Sequence, residues 1–321
     1  MSDNHRRGRP RYFREDQVAE ILTMACQSPE SKGLPVSHWT PGMLATQAEK
    51  EGIVDSISTR SVSRFLKEAD LKPHRHRVWL NPKIEDPETH NKEVKQVCDV
   101  YQSAKYLDNK GVRVISIDEK TGIQTTEHAQ PKQLMKPGQP ERIEQEYIRH
   151  GTTTLIASRD IVTGQIIQPY LGQTRTEKDL ARHVQQVISQ DPEATYVLIM
   201  DQLNTHKSES LVRFVAEQCG IPQSTLGEKG KSGVLKSMPT RAAFLANPEH
   251  RIQIVYTPKH CSWLNQIECW FSILSRRLLN VRSSFTSVQQ LETKIKQFIG
   301  YYIQHLAKPF HWTFEGKILQ I

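Results

Sequence analysis

Three carboxylates occupy positions where chemistry is plausible. Asp118 closes VRVISID (112–118), an alternating run that reads as a strand. Asp201 closes YVLIMD (196–201), a short apolar run with the look of a strand buried on both faces. Glu268 lies in a helical stretch, Ser262–Leu279, after a further strand, RIQIVYT (251–257). Strands that run parallel and adjacent bring their C-terminal ends to one sheet edge, where open α/β sheets build sites. Two Asp there converge. Leu264, Ile267, Phe271, Leu274 and Leu278 form the helix's apolar stripe, and Glu268 on its border is expected to face the sheet. Three carboxylates near one point repel and call for a cation. Hard oxygen donors suit Mg²⁺, with Mn²⁺ as a substitute. Two such ions can activate a water or a 3′-hydroxyl and stabilise the leaving oxygen of a phosphodiester.

Each residue alone also has an ordinary reading. An Asp ending a strand is commonly a turn or cap residue, and a Glu on a helix is commonly solvated. The combination on a basic chain is what carries weight. The 321 residues hold 43 Lys+Arg against 35 Asp+Glu, a net charge of +8. That excess is unevenly spread: +3 over residues 1–80, −3 over 81–222, +2 over 223–250 and +6 over 251–321. An acidic body between basic ends fits a polyanion partner, usually nucleic acid. Five cysteines with no CxxC pair argue against a disulfide framework or structural zinc, and Cys261 and Cys269 read as packing residues. The polar N-terminus and the absence of a long apolar run set aside secreted and membrane classes and lead us to expect a cytoplasmic protein.

The elements that must position these groups fall into two parts. HRRGRPRYFR (5–14) reads as a basic arm, residues 1–14, with Arg9 and Arg11 placed to lie along a DNA groove. Residues 15–80 show three helical patterns: Glu15–Gln27, a helix opened by Thr40-Pro41 and running to about Glu51, and Arg60 to about Ala69 capped by Thr59. The third presents Arg60 and Arg64 outward, suited to base edges. LKPHRHRVWL (71–80) follows as a basic wing whose Arg75 and Arg77 suit phosphates. This is a winged helix-turn-helix pattern. Residues 81–110 read as a polar helical linker. Residues 111–310 carry the order β-β-β-α-β-α-β-α-α, with a polar, basic insertion at about 223–250 that reads either as a loop gripping DNA or a partner subunit or as a tolerated insertion, and 311–321 form a tail.

Three stretches carry a family resemblance: DEKTG (118–122), DQLNTHKS (201–208) and TPKHCSWLNQIECWFSILSRR (257–277). In the last, Ser262, Asn265, Glu268 and Trp270 follow an S-x-x-N-x-x-E-x-W pattern. They closely resemble the bacterial insertion-sequence branch of the mariner-like DDE transposases. The resemblance implies an RNase H-like mixed sheet with flanking helices, an Asp-Asp-Glu triad of Asp118, Asp201 and Glu268 as metal ligands, and two Mg²⁺ ions. It also implies cut-and-paste DNA transposition into TA targets. The expected partners are double-stranded DNA, both terminal inverted repeats and target, and a second copy of the chain on that DNA. The setting would be the bacterial cytoplasm, on the nucleoid when bound. Asn204, His206, Lys259 and Asn265 fall in the motif flanks and are expected to position DNA phosphate or the ligands; His206 and His260 also fit plain packing roles. Two features depart from the family pattern. Asp201 and Glu268 stand 67 positions apart, a longer interval than is usual. Relatives carry two helix-turn-helix units before the core, whereas one is visible here. The competing readings are a truncated or domesticated derivative that binds repeats and represses without cutting, and an RNase H-like nuclease for RNA or junction DNA. Glycoside hydrolysis gives the basic flanks no role.

Overall fold

The computed structural model describes residues 12–76, 86–309 and 311–315. It divides into two compact units, residues 1–81 and 82–321.

The first unit is all helical. Helices α1 (Glu15–Ala25), α2 (Pro41–Lys50) and α3 (Thr59–Glu68) bury Ile21, Met24, Leu44, Ala48, Val62, Phe65 and Leu66 around Trp39. Thr40 caps α2, its hydroxyl accepting from the Met43 N–H at 3.2 Å. The cap of α3 is Ser58 rather than Thr59: the Ser61 N–H donates to Ser58 Oγ at 3.1 Å, and Thr59 is already the first helical residue. Ser and Thr are equally able caps, so composition alone leaves that one-residue ambiguity. Leu71–His76 form no strand but a turn in which the Arg75 N–H donates to the Lys72 carbonyl. The remainder of the expected wing, including Arg77, and the arm with Arg9 and Arg11 lie outside the described residues.

The second unit is built on a five-stranded mixed sheet, β1 (Val112–His128), β2 (Tyr147–Asp160), β3 (Ile166–Gly172), β4 (Thr195–Met200) and β5 (Ile252–Tyr256), in the spatial order β3-β2-β1-β4-β5. The β1–β2 and β2–β3 pairs are antiparallel; β1–β4 and β4–β5 are parallel. This is the mixed sheet with flanking helices expected from the sequence. One face, with Ile115, Ile117, Leu198, Met200 and Ile254, packs on α5 (Glu177–Ile188) and α6 (Glu209–Gln218). On the other face, β1 and β2 pack on α8 (Ile267–Arg277) and α9 (Val288–His305) through Leu155, Ala157, Trp270, Leu274 and Ile295.

Three expectations need correction. Residues 81–110 are not simply a linker: they supply α4 (Pro87–Asp108), whose Val94, Val97, Cys98, Tyr101 and Ala104 pack with Val114, Val197, Ile199 and Val255 of the sheet. The stripe is narrow and flanked by Lys, Glu and Gln, so composition hides it. The 223–250 insertion contains α7 (Met238–Leu245) and buries Leu226, Leu235 and Leu245 in the main core, so it is an integral layer rather than a free loop. The expected long helix from Ser262 is broken. A short turn, Ser262–Leu264, is followed by Asn265 in an extended conformation (φ −80°, ψ 106°) before α8 begins. Among the described residues no helix is long and apolar enough to cross a membrane.

Candidate active site

Asp118 does not end its strand. β1 continues ten residues further to His128, through bulges around Gly122 (φ +64°), as a ribbon paired with β2. The Asp118 side chain lies on the same face as Val114 and Ser116, opposite Ala157, and is 6 % exposed. Its Oδ1 accepts from the Glu119 N–H at 2.8 Å and its Oδ2 from Asn265 Nδ2 at 3.1 Å. Burial, followed by the charge of Asp201, pushes its carboxyl up to about 7, although the Glu119 N–H and His206 oppose this.

Asp201 follows directly on β4. Ser116 pairs with Ile199 across the parallel β1–β4 ladder, so Asp118 and Asp201 stand two residues beyond that rung on neighbouring strands. One Asp201 oxygen lies 2.7 Å from His206 Nδ1 and accepts from the Leu203 N–H at 2.9 Å. Burial favours its protonated form, but the hydrogen bond and charge of His206 and the Leu203 N–H together outweigh that and hold its pKa below the usual carboxylate value.

His206 is fully buried. Its Nε2 lies 3.2 Å from Glu119 Oε2, whose side chain is 1 % exposed. Burial disfavours the imidazolium, but hydrogen bonds and charge from Asp201 and Glu119 prevail and raise its pKa to about 10. Both ring nitrogens therefore donate, and His206 is a buried cation strapped between two carboxylates.

Glu268 sits in the first turn of α8 and is exposed, not tucked against the sheet as expected. Ile267, Trp270, Phe271 and Leu274 fill the buried face of α8, and Glu268 falls outside it. Its carboxyl is nonetheless shifted upward, first by solvent lost to surrounding protein and then by the charge of Asp201, with Lys120 opposing. Asp201 thus acts electrostatically on both Asp118 and Glu268.

A hydrogen-bonded frame anchors the Glu268 segment to β1 and α4. Asn265 donates from Nδ2 to the Ile117 carbonyl at 2.9 Å as well as to Asp118, and its Oδ1 accepts from the Ser116 hydroxyl. Ser116 Oγ accepts from the Ile267 N–H at 2.9 Å. The Tyr101 hydroxyl donates to the Leu264 carbonyl at 2.8 Å and accepts from the Gln266 N–H at 3.1 Å. Of the other expected residues, Asn204 is exposed in the turn Asn204–Lys207, and Lys259 is exposed in the loop after β5. Arg60, Arg64 and Arg75 are exposed in the first unit, Arg64 lying 3.9 Å from Glu68 across one helical turn.

Among the described residues, the group of metal-ligand atoms lying within 4.8 Å of one another is Asp118, Glu119 and His206. A charged His206 offers no lone pair to an ion, so this cluster is better understood as an internal ion-pair network. Asp201 and Glu268 fall outside that group, and the oxygens of Asp118, Asp201 and Glu268 are the carboxylate donors that the sequence reading offers to a cation. An all-carboxylate donor set whose most buried member is crowded by a like charge fits a hard divalent ion such as Mg²⁺ or Mn²⁺. Sequence reasoning missed Glu119, Ser116 and Tyr101. Glu119 stands inside the quoted DEKTG motif, so its neighbour signal was present, whereas Ser116 and Tyr101 gave none.

Comparison with known proteins gives two family matches. Residues 113–292 match the model for DDE superfamily endonucleases, and residues 1–66 match that for a homeodomain-like domain. No curated protein sequence matches the chain. Among solved structures, the Mos1 transposase paired-end complex with left transposon end aligns at 17 % identity and a TM-score of 0.52, covering 97 % of this chain and 77 % of that one. The Mos1 mariner paired-end complex with Mn aligns at 15 % identity and a TM-score of 0.51, covering 97 % and 77 %. A pre-cleavage Mos1 transpososome gives 16 %, 0.51, and 93 % and 75 %. At these identities the likeness is one of fold.

Proposed function

The chain belongs to the DDE superfamily of endonucleases, and from that premise we propose that it is a mariner-type transposase of a bacterial insertion sequence. It would bind terminal inverted repeats, cut them and join them to TA targets by cut-and-paste. The observation that carries this reading is the coupling of Asp118, Asp201 and Glu268. They arise from three separate elements, and Asp201 acts on both of the others.

Asp118, Asp201 and Glu268 would hold Mg²⁺, or Mn²⁺ in its place. When bound, the ion supplies charge neutralisation at the phosphodiester and activation of the attacking oxygen. The chain's own residues supply geometry. His206, strapped to Glu119, fixes the orientation of Asp201. Asn265 fixes Asp118 and, through Ser116, the start of α8. Hydrolysis at the element end leaves a 3′-hydroxyl; that hydroxyl attacks a target phosphodiester, forming one bond as the target's own 3′-oxygen departs. Arg60 and Arg64 on α3 would meet base edges, and Arg75 a phosphate, with Arg9, Arg11 and Arg77 adding backbone contacts. Asn204 and Lys259 would lie beside the reacting phosphate. Two ends must be brought together, which favours a homodimer on DNA in the bacterial cytoplasm. The interval between Asp201 and Glu268 is long because it houses a packed layer, with Leu226, Leu235 and Leu245 in the core. A derivative that binds without cutting would keep a crowded, buried Asp118 at an energetic cost with no return, which favours the cutting enzyme.

The test is to incubate the chain and Mg²⁺ with plasmid carrying the DNA that flanks its own gene, and to map the ends. Breaks at repeat termini with 3′-hydroxyls, and joined products at TA, are expected. Binding to the repeats without any break in either Mg²⁺ or Mn²⁺ would establish the repressor reading instead.

A further inference from the structure

Residues 311–315 lie as a strap against the body of the second unit. Trp312 and Phe314 are half-buried, and His311, Thr313 and Glu315 between and beside them are exposed, the alternation of an extended chain. Trp312 packs on Tyr101 of α4 with ring centroids 4.7 Å apart, and Phe314 stands edge-on to Trp263 at 5.4 Å. The two strap rings meet each other at 6.4 Å, and Gln102 Nε2 donates to the Phe314 carbonyl at 3.5 Å. Closer to α9, the chain crosses the turn that follows β2. A Cβ on Gly164 (φ +73°) would overlap the Lys308 carbonyl there, so a glycine is what lets the chain pass.

Both ring contacts bear on the segment that leads into Glu268. The turn Ser262–Leu264 ends there and Asn265 is extended, so the segment has no helical ladder of its own. Leu264 and Gln266 are nonetheless buried, and their backbone groups need partners from elsewhere in the chain. The Tyr101 hydroxyl serves two of them, donating to the Leu264 carbonyl and accepting from the Gln266 N–H. Arg159 Nη1 donates to the Gln266 carbonyl at 3.4 Å. Tyr101 can aim its hydroxyl only while its ring stays in place, and that ring is covered by Trp312. Removing the indole leaves a void beside the ring and lets water compete for the hydroxyl.

We propose that Trp312 and Phe314 are positioning residues for the carboxylate site: docked on Tyr101 and Trp263, they hold Leu264–Ile267 so that Asn265 keeps its bond to Asp118 and Glu268 its place at the start of α8. The influence passes through one contiguous set of contacts, from ring to ring, to the Tyr101 hydroxyl and to the backbone before Glu268. The inference rests on the reading of the chain as a DNA-cutting enzyme and adds to it a distant segment on which the site's geometry depends.

Hydrogen exchange of the full chain in EDTA reads the segment without metal or DNA. Trp312→Ala should speed exchange at the Gln266 and Ile267 amides by up to about tenfold, the worth of one aromatic pair, beyond any change in β4, whose central amides report the stability of the whole unit. Trp312→Phe keeps a ring on Tyr101 and should restore most of the protection. Gly164→Ala presses on the strap at Lys308 from outside it and should loosen the same two amides. Gly220→Ala should not, since its φ is also positive (+68°) but nothing lies within 4 Å of the added Cβ. The Gly164→Ala arm stands if Trp312→Ala fails to fold. Exchange at Gln266 and Ile267 that rises no more than in β4 overturns the proposal. With Mg²⁺ and the DNA flanking the gene, Trp312→Ala should lower the single-turnover cleavage rate by about 10²-fold, the cost of a misplacement of about 1 Å, and leave affinity for that DNA unchanged. An unchanged rate, or affinity lost in step with rate, also overturns the proposal. Loosened amides in a chain whose wild type cuts nothing would sink the enzyme reading and leave the strap's hold on the segment. Cleavage by the wild type, with the two amides untouched in the variants, would do the reverse.

Discussion

Asp118→Asn should make the metal-free protein more stable, although it removes a residue from the centre of the site. The Asp118 carboxyl is raised from 3.8 to about 7 in the folded chain. At 1.36 kcal/mol per pKa unit, ionising it there costs about 4 kcal/mol of folding stability above pH 7. The side chain is 6 % exposed, so solvent screening does little to reduce that figure. The substitution has its own cost. The new amide can still accept from the Glu119 N–H, but its NH₂ meets the Asn265 NH₂ where Oδ2 accepted before, a mismatch worth about 1–2 kcal/mol. The net gain is about 2–3 kcal/mol, or roughly 5–10 °C in Tm for a unit of this size. The sign follows from proton linkage: a raised carboxylate pKa means the folded state binds the proton more tightly than the unfolded state. The wild type therefore loses stability as pH rises from about 4 to about 7 and levels off above that. Near pH 4 the variant should be the less stable by that mismatch, about 1–2 kcal/mol; the order should invert through the window, and the gap should stay constant at pH 8. Scanning calorimetry in EDTA reads it directly. Adding Mg²⁺ should then raise the wild-type Tm by mass action and that of the Asp118→Asn variant far less. Equal Tm values in EDTA at pH 8, or a gap of the same sign and size at pH 4 and pH 8, would refute the claim that Asp118 is a crowded buried charge.

The His206 imidazole, raised to about 10, should remain protonated at pH 8 by ¹⁵N NMR, and the stability from its ion pairs should be complete below about 6.5 and fade as pH climbs towards 10; a neutral ring at pH 8 would remove the strap on Asp201. Tyr101→Phe should cost about 1–3 kcal/mol in urea unfolding, because the Leu264 carbonyl and Gln266 N–H lose their buried partner, and should slow DNA cleavage without weakening DNA binding. Arg75→Ala should reduce affinity evenly across sequences and lower the salt slope by about one unit, whereas Arg60→Ala should relax sequence preference in a selection experiment; unchanged slope and unchanged preference would place DNA recognition elsewhere.

Locally encoded features were readable from the sequence. Thr40-Pro41 announces α2 because cap and first-turn chemistry are adjacent in the chain, and RIQIVYT announces β5 by its own alternation. Asp201 is placed by the same kind of local signal, directly after the apolar run of β4, whereas Asp118 lies inside β1 and Glu268 inside α8. What stayed hidden depends on partners far along the chain. β1 continues past Asp118 through a polar stretch because β2 pairs with it from Lys120–Leu155 out to His128–Tyr147. The helix from Ser262 breaks because Asn265 bonds to Ser116 and Asp118, 149 and 147 positions away. Glu119 finds His206 across 87 positions. The insertion reads as polar because three leucines among many Gly, Lys and Ser carry its burial.

The central claim is that Asp118, Asp201 and Glu268 together hold the ion that cuts DNA. Asp201→Ala tests it most directly, since Asp201 is the member that acts on both others. On DNA carrying the repeats that flank the gene, with Mg²⁺, the variant should bind as tightly as the wild type and yield no cleaved ends. Cleavage at the wild-type rate by a folded Asp201→Ala protein would contradict the account.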